Sequence, residues 1–489
     1  MFTGVDEMYE YDIAVIGGGP GGYVAALDAG MRGANVLLIE KDRRLGGTCL
    51  LRGCIPSKTM VKTAEILAEM RHAADFGVTG TAEPNWEGIV ARKDKVVDGL
   101  TRGINDLFKA RKITRLEGKA RLLTPGSIYV QGANQYAGAA LTVRAKNIIV
   151  ATGSATVLGS EVPGGDSPRV IHSDQILDMD LTLRAIPTLP KSMVVIGGGI
   201  VGMEFASIFA AYGTKVTAVI TSPRILRNVD EEIARRFSAL LKQAGVETLV
   251  KTSVQEFRDR GDHLEVVVQT EGSAEPRVLQ CEYALYAKGR VPYTDGLGLD
   301  DLGVQTQRGY VTVDDHLRTN VPNVYAIGDV VPGHMLAHVA SYEGEVAVDN
   351  ILGHERAADY RAVPDCIFTI PEIASVGMTE AVAKERGVPV RVTKFPFAAL
   401  GRAQAIGEPH GLVKLVCHAE DRTVLGMQIL GAHASDVIAE GTLAVQQRVT
   451  AEDLAHTMHA HPTMPEAVQE TAIAQIFGTP LHVNMFTRG

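Results

Sequence analysis

The pentapeptide Val-Ile-Gly-Gly-Gly occurs twice in this chain, at Val15–Gly19 and at Val195–Gly199, and each copy opens a G-x-G-x-x-G. The first set of glycines is Gly17, Gly19 and Gly22, and the second is Gly197, Gly199 and Gly202. Each set follows a short apolar run, YDIAVI or SMVVI, and leads into a helix-like segment. A second apolar run comes next, NVLLIE or KVTAVI. This is the strand–turn–helix–strand context in which such glycines let backbone amides approach a pyrophosphate at a helix N-terminus. Two copies in one chain predict two dinucleotides, with electrons passing between them. The expected fold class is α/β, with two Rossmann-like dinucleotide-binding domains. The strand-like stretches IIVATGS and NVYAIGDV read as returns to the first domain, which makes the second an insertion. From about residue 356 the pattern becomes antiparallel strands with helices, a C-terminal α+β domain. The predicted boundaries are 1–155 and 286–355 for the two parts of the first domain, 156–285 for the second, and 356–489 for the C-terminal domain. With 489 residues the chain suits roughly three domains of about 150 residues.

Net charge is −9, which argues against nucleic acid as a partner. The N-terminus carries acids where a signal peptide needs lysine or arginine. No transit or lipoyl-type extension and no low-complexity linker are apparent in the text. The segment from Met193 is apolar enough to suggest a membrane span, but its glycines and Glu204 argue for strand, turn and buried helix instead. The expectation is a cytoplasmic protein with no membrane partner.

Two of the five cysteines, Cys49 and Cys54, fall together in GGTCLLRGCIPSK. The possibilities are a structural disulfide, half a metal site, a redox pair or coincidence. Structural disulfides are rare in the cytoplasm. A zinc site wants a second close pair of ligands, and Cys281, Cys366 and Cys417 stand singly, so no metal is expected. A redox role has support. IPSKTMVKTAEILAEM reads as a helix with Pro56 in its first turn, so Cys54 lies beside a helix N-terminus that favours thiolate, with Lys58 nearby.

An acidic residue at the end of the second strand normally binds a ribose hydroxyl. In the first unit this is Glu40, and the same count from Gly202 reaches Ile220, which has no polar group. The loop after it offers Thr221, Ser222, Arg224 and Arg227, read either as surface residues or as contacts to a 2′-phosphate. Asp329 ends NVYAIGDV, either as a turn aspartate or pointing at the first ligand. Glu204 lies among Ile200, Val201, Met203, Phe205, Ile208 and Phe209, where a carboxylate needs a partner unless it turns to solvent.

Both fingerprints, the cysteine motif, ATGS, AIGDV, MLAH (Met335–His338), FPF (Phe395–Phe397) and HAHPTMPE (His459–Glu466) together resemble the flavin-dependent pyridine nucleotide–disulfide oxidoreductases of class I, and within them the dihydrolipoyl dehydrogenases. The resemblance runs almost end to end. It implies FAD on the first unit, NAD or NADP on the second, and a C-terminal domain that makes a homodimer. It implies that a dihydrolipoyl group on a carrier domain or protein is oxidised through a Cys49–Cys54 disulfide, with hydride passed to NAD(P)+. Cys49 would meet the substrate sulfur and Cys54 the flavin, with Lys58 nearby and paired with Glu204. His461 of the partner subunit would be the acid–base, oriented by Glu466. Thr463 and Glu466 also form T-x-x-E, the signature of a capping box. His459 is read as structural. Thr152, Gly153, Ala337 and Gly289 join Asp329 among the implied cofactor-binding residues.

The chain departs from the resemblance at Leu51-Arg52, where Asn-Val is usual, and at Ile220. Related readings are a disulfide or low-molecular-weight thiol reductase using NAD(P)H. From another class, the chain could be mainly a structural subunit of a multienzyme complex. Keeping Cys49, Cys54 and His461 together speaks against that as its only role.

Overall fold

The structure is a computed structural model that describes residues 10–132, 140–179 and 185–483. The acids at the extreme N-terminus, Asp6 and Glu7, and the cysteine-free tail after Val483 lie outside these residues.

The strand Tyr11–Ile16 runs parallel to Val36–Glu40 on one side and to Leu141–Val150 on the other. Thr114–Glu117 extends the sheet beyond Val36–Glu40, and Val324–Ala326 pairs with Leu141–Val150. Both returning stretches therefore join the first sheet. Ile13, Ala14, Val15, Leu37 and Leu38 are fully buried. Helices cover one face of these parallel strands, and the antiparallel strands Lys119–Thr124 and Ser127–Gln131 with residues 297–331 cover the other. The strands are therefore buried on both faces and read as unbroken apolar runs rather than alternating ones.

The second sheet is also parallel, in the order Glu247–Leu249, Lys215–Val219, Ser192–Ile196, Tyr283–Tyr286, Val170–Ile171. The apolar segment from Met193 is a strand, the glycine turn and the helix Ile200–Ala211, all packed inside this domain. No described helix is long and apolar enough to cross a membrane.

The two units repeat one another bond for bond. Gly17 N–H donates to Ile39 O at 2.8 Å, and Gly197 N–H donates to Val219 O at 3.0 Å. Ala151 N–H reaches Ile16 O at 2.8 Å, as Ala287 N–H reaches Ile196 O at 2.8 Å. Gly46 N–H closes on Gly18 O at 2.8 Å, as Leu226 N–H does on Gly198 O at 2.7 Å.

The C-terminal domain is a five-stranded antiparallel sheet, ordered Pro364–Ile367, Ile373–Gly377, Val424–Leu430, Leu412–His418, Val390–Pro396. The helices Ala434–Gln447 and Glu466–Phe477 pack on it around Phe395, Phe397 and Met427. Between the domains, the helix Cys54–Arg71 lies against Ile200–Ala211. Met60 and Phe205 share one core, and Tyr212 Oη donates to Met60 O at 2.8 Å. That packing sets the cysteine motif beside the second dinucleotide unit.

Candidate active site

Cys49 sits on the short helix Gly47–Arg52, and Cys54 is the first residue of Cys54–Arg71. Gly46, at φ +124°, makes the turn into the short helix, a conformation L-residues rarely adopt. Both cysteines carry free thiols and are mostly buried. The two thiols interact, and their surroundings act on them differently. The neighbouring Cys54 sulfur, together with burial, holds the Cys49 thiol above its ordinary range. The neighbouring Cys49 thiol and the Lys58 charge, opposed by burial, bring Cys54 down to about 7. Cys54 is thus the thiolate of the pair near neutral pH.

Lys58 Nζ sits 2.9 Å from each oxygen of Glu204. Phe368 N–H donates to Glu204 Oε1 at 2.9 Å, and the Phe368 ring lies 4.6 Å from Lys58 Nζ. Glu204 is therefore buried with partners rather than turned to solvent.

Glu466 starts the helix Glu466–Phe477, and its Oε1 is 2.8 Å from His461 Nδ1. Its Oε2 accepts from Thr463 N–H at 2.7 Å. The Thr463 hydroxyl, however, donates to Ala460 O at 2.6 Å rather than accepting from the first turn. Only half of the T-x-x-E capping box forms, because the helix begins at Glu466 itself. His461 is exposed within one chain, with 78% of its side chain open to solvent. His459 is tied down between Glu440, at 2.9 Å, and Thr457 O, at 2.9 Å, a structural placement.

At the first fingerprint, Gly18 N–H donates to Glu40 Oε2 at 2.6 Å, and burial pushes the Glu40 carboxyl up. A Cβ on Gly17 or Gly22 would strike backbone oxygens, of Ala151 at 2.2 Å and of Gly17 at 1.9 Å. One on Gly19 would meet only Gly47 Cα, at 3.8 Å. The outer glycines, Gly17 and Gly22, close strand against helix, and the middle one, Gly19, leaves an open seat. The second unit repeats this with Gly197, Gly202 and Gly199, where Gly199 has nothing within 4 Å. Beneath Gly198, the place Glu40 takes beneath Gly18 is filled by Ile220, buried and apolar.

The remaining predicted residues are more dispersed. Asp329 Oδ2 accepts from Ser154 Oγ at 2.5 Å, and Ala337 opens the helix Ala337–Ile351. The Thr152 hydroxyl donates to Tyr293 O at 2.6 Å, at the crossing where Gly153 and Gly289 take φ of +72° and +126°. In the loop after the second strand, Thr221 and Arg227 are exposed. Arg224 departs from a ligand-facing reading: its guanidinium donates to the carbonyls of Leu226, Arg227 and Val229 within its own loop, at 2.9, 2.7 and 3.1 Å. It clasps the loop because those carbonyls curl around it.

Sequence reasoning missed several contacts. Arg290 bonds Ser154 Oγ at 2.7 Å and Thr48 Oγ1 at 3.2 Å, and lies 3.6 Å from Asp174, so it joins Asp329's neighbour to the residue before Cys49. Arg52 pairs with Asp42 and, at 3.6 Å, with Asp178. Glu343 accepts from Gly328 N–H at 2.6 Å and from Tyr360 Oη at 2.8 Å. Its position behind the Gly-Asp turn carries no local sequence signal. Among the described residues, no cluster of three or more His, Cys, Asp or Glu is placed to hold a metal.

Family models match most of the chain. Residues 11–344 fit the pyridine nucleotide-disulphide oxidoreductase model, and residues 363–472 fit the dimerisation domain of the same family. The chain belongs to the pyridine nucleotide-disulphide oxidoreductases. It is 40% identical over 476 residues to a dihydrolipoyl dehydrogenase of Chlamydia muridarum, covering 97% of this chain and 98% of that one. It is 40% identical over 480 residues to the Geobacillus stearothermophilus dihydrolipoyl dehydrogenase, covering 98% of each. A leghemoglobin reductase of Glycine max is also 40% identical, over 95% of this chain and 87% of that one. Among solved structures, LpdA of Mycobacterium tuberculosis superposes with a TM-score of 0.85 at 29% identity, covering 94% and 99% of the two chains. The HOCl-induced flavoprotein disulfide reductase RclA of Escherichia coli, solved as a Cu(II) complex, gives 0.84 at 27%, covering 95% and 99%. The protein is thus a dihydrolipoyl dehydrogenase-like flavoprotein disulfide oxidoreductase, and its cofactors are those of the family, FAD and a nicotinamide dinucleotide. The residues fit them: each fingerprint has an open seat at its middle glycine, and the first has a buried carboxylate at the ribose position.

Proposed function

We propose that this protein, as a cytoplasmic homodimer, oxidises a dihydrolipoyl dithiol presented by a carrier domain or protein and delivers the electrons to NAD+ or NADP+. The observation that carries this reading is the placement of the free, mostly buried pair Cys49 and Cys54 at the start of the helix Cys54–Arg71, with Lys58 one turn on and held 2.9 Å from Glu204. In the oxidised enzyme one substrate thiol, deprotonated by the partner subunit's His461, attacks Cys49 of the Cys49–Cys54 disulfide. The S–S bond breaks and Cys54 leaves as thiolate, the better leaving group because its pKa is the lower. The second substrate thiol then attacks the mixed disulfide. This releases the cyclic disulfide; Cys49 leaves with the proton held by His461, the second thiol's own proton passes to His461, and Cys54 stays as thiolate. Glu466 keeps His461 oriented, with Nδ1 on the carboxylate and Nε2 toward the sulfurs. Lys58, held by Glu204, sustains the Cys54 thiolate. Bound at the first fingerprint, FAD would supply the two-electron acceptor that links the Cys49–Cys54 dithiol to the nicotinamide nucleotide.

Gly17, Gly19, Gly22, Glu40, Asp329 and Ala337 would hold FAD, and Gly197, Gly199 and Gly202 would hold the second dinucleotide. The second reading, reduction of another disulfide by NAD(P)H, is favoured by the likeness to RclA. Steady-state turnover of purified protein decides between them. Dihydrolipoamide oxidation with NAD+ or NADP+ is expected. Turnover of other disulfides without it would replace the proposal by the second reading.

A further inference from the structure

Lys414 lies on the strand Leu412–His418 of the C-terminal sheet, with 3% of its side chain exposed. Burying an ammonium group costs free energy unless it is paired. Its pair comes from another domain. Nζ sits 2.8 Å from Asp230 Oδ2, whose side chain is 4% exposed, and 2.9 Å from Glu380 of its own domain. An aliphatic side chain would fill the same place without a charge, so the pairing with Asp230 is what this lysine adds.

Asp230 is the N-cap of the helix Glu231–Gln243. Its Oδ1 accepts from Glu232 N–H at 3.0 Å and from Ile233 N–H at 3.3 Å. It also ends the loop 221–229, which follows the strand Lys215–Val219 where a ribose-binding acid would stand. A second cross-domain pair, Lys394 with Glu232 at 2.5 Å, flanks the first. At its middle the loop is bonded to the fingerprint, Leu226 N–H to Gly198 O at 2.7 Å, and Arg224 gathers its last carbonyls. The loop is thus fastened to the glycine turn, to itself and to the C-terminal sheet.

We propose that Lys414, through Asp230, is a positioning residue for the second dinucleotide, fixing the 221–229 loop in the shape that receives the adenosine ribose. The inference rests on the reading of the second fingerprint as the nicotinamide nucleotide site. The ribose edge lacks a carboxylate, so recognition falls to the loop backbone and to Thr221. The loop's start is held by backbone bonds of Ile220 and Ser222 to residues 249–252, and the clamp sets its far end. The C-terminal domain, which carries the dimerisation strands, thereby holds a wall of the nucleotide site.

The test uses the flavin-loaded full chain and ADP-ribose as probe, titrated calorimetrically, alongside KM values for NAD+ and dihydrolipoamide. Lys414→Met is expected to raise the ADP-ribose Kd and the NAD+ KM by about tenfold or more, equivalent to about 1.4 kcal/mol. Flavin content and the dihydrolipoamide KM should stay near the parent's, and Lys414→Arg should restore most of the affinity. If Lys414→Met does not fold, the paired variant Lys414→Gln with Asp230→Asn removes both charges and keeps the helix cap, since Asn caps as well as Asp. A folded variant of either kind that binds ADP-ribose as the parent does overturns the proposal. Gly199→Val separates the two levels, because a Cβ there meets no protein atom within 4 Å and the change should block only the ligand. If it leaves ADP-ribose binding intact, the site reading itself fails. If it abolishes binding while the Lys414 variants are neutral, only the clamp is wrong.

Discussion

Glu466 divides its carboxylate between two tasks, holding His461 Nδ1 at 2.8 Å with one oxygen and the Thr463 N–H at 2.7 Å with the other. Partial burial would raise this carboxyl, but the Thr463 N–H and the imidazole outweigh it and hold it below the usual range. The carboxylate is therefore ionised wherever the enzyme would work. Its contribution to stability is fully present above the unfolded carboxyl's pKa and is lost as pH falls through the depressed folded value.

His461→Gln should slow dithiol oxidation by roughly 10²–10⁴-fold, the range for losing a general base, with flavin content unchanged. Glu466→Gln should lower turnover clearly, because the amide keeps the Thr463 contact but no longer balances an imidazolium. Stopped-flow reduction by dihydrolipoamide, with melting curves alongside, checks both. Near-normal turnover combined with a stability loss of about 0.5–2 kcal/mol would return Glu466 to a capping role.

The thiolate of Cys54 should titrate near 7 in the reduced protein. Lys58→Met should move that titration upward, because an opposing charge is removed, and Glu204→Gln should move it downward, because a like charge is removed. Ultraviolet absorbance of the thiolate against pH reads both shifts. Shifts of the same sign in the two variants would contradict the arrangement.

Ile220 fills the site where a carboxylate would bond ribose hydroxyls and repel a 2′-phosphate. NADP+ should therefore be used within tenfold of NAD+ in kcat/KM, a gap of about 1.4 kcal/mol or less. Ile220→Glu should restore a preference for NAD+. Since Arg224 is spent on loop carbonyls, Arg227→Ala should weaken NADP+ selectively, whereas Arg224→Ala should weaken both nucleotides. A tenfold or larger preference of the parent for NAD+ would defeat this argument.

Gly19→Val should fold and fail to retain FAD, since its Cβ has room in the protein but occupies the open seat. Gly22→Val should lose stability as well, by about 1–3 kcal/mol or more, because its Cβ would lie 1.9 Å from Gly17 O. Flavin absorbance and thermal unfolding of the two variants would separate seat from strut. Equal flavin retention by Gly19→Val and the parent would remove FAD from this turn.

The two fingerprints, the buried strands beside them, the helix behind Cys54 and the antiparallel C-terminal sheet were all legible in the sequence. Each depends on local rules: glycine sterics at a close approach, apolar runs that must be buried, and a proline in a first turn. The packing of distant elements decided the rest. Lys58 and Glu204 are 146 positions apart and meet only because two helices share the core around Met60 and Phe205. Arg224 looked available to a phosphate until the loop curled its carbonyls around it. Lys414 carried no signal in its strand, since a charge's partner is set by which surfaces the domains bring together. Sequence pattern specifies where backbone can turn and what must be buried. The pairing of charges across domains follows only once burial has fixed the distances.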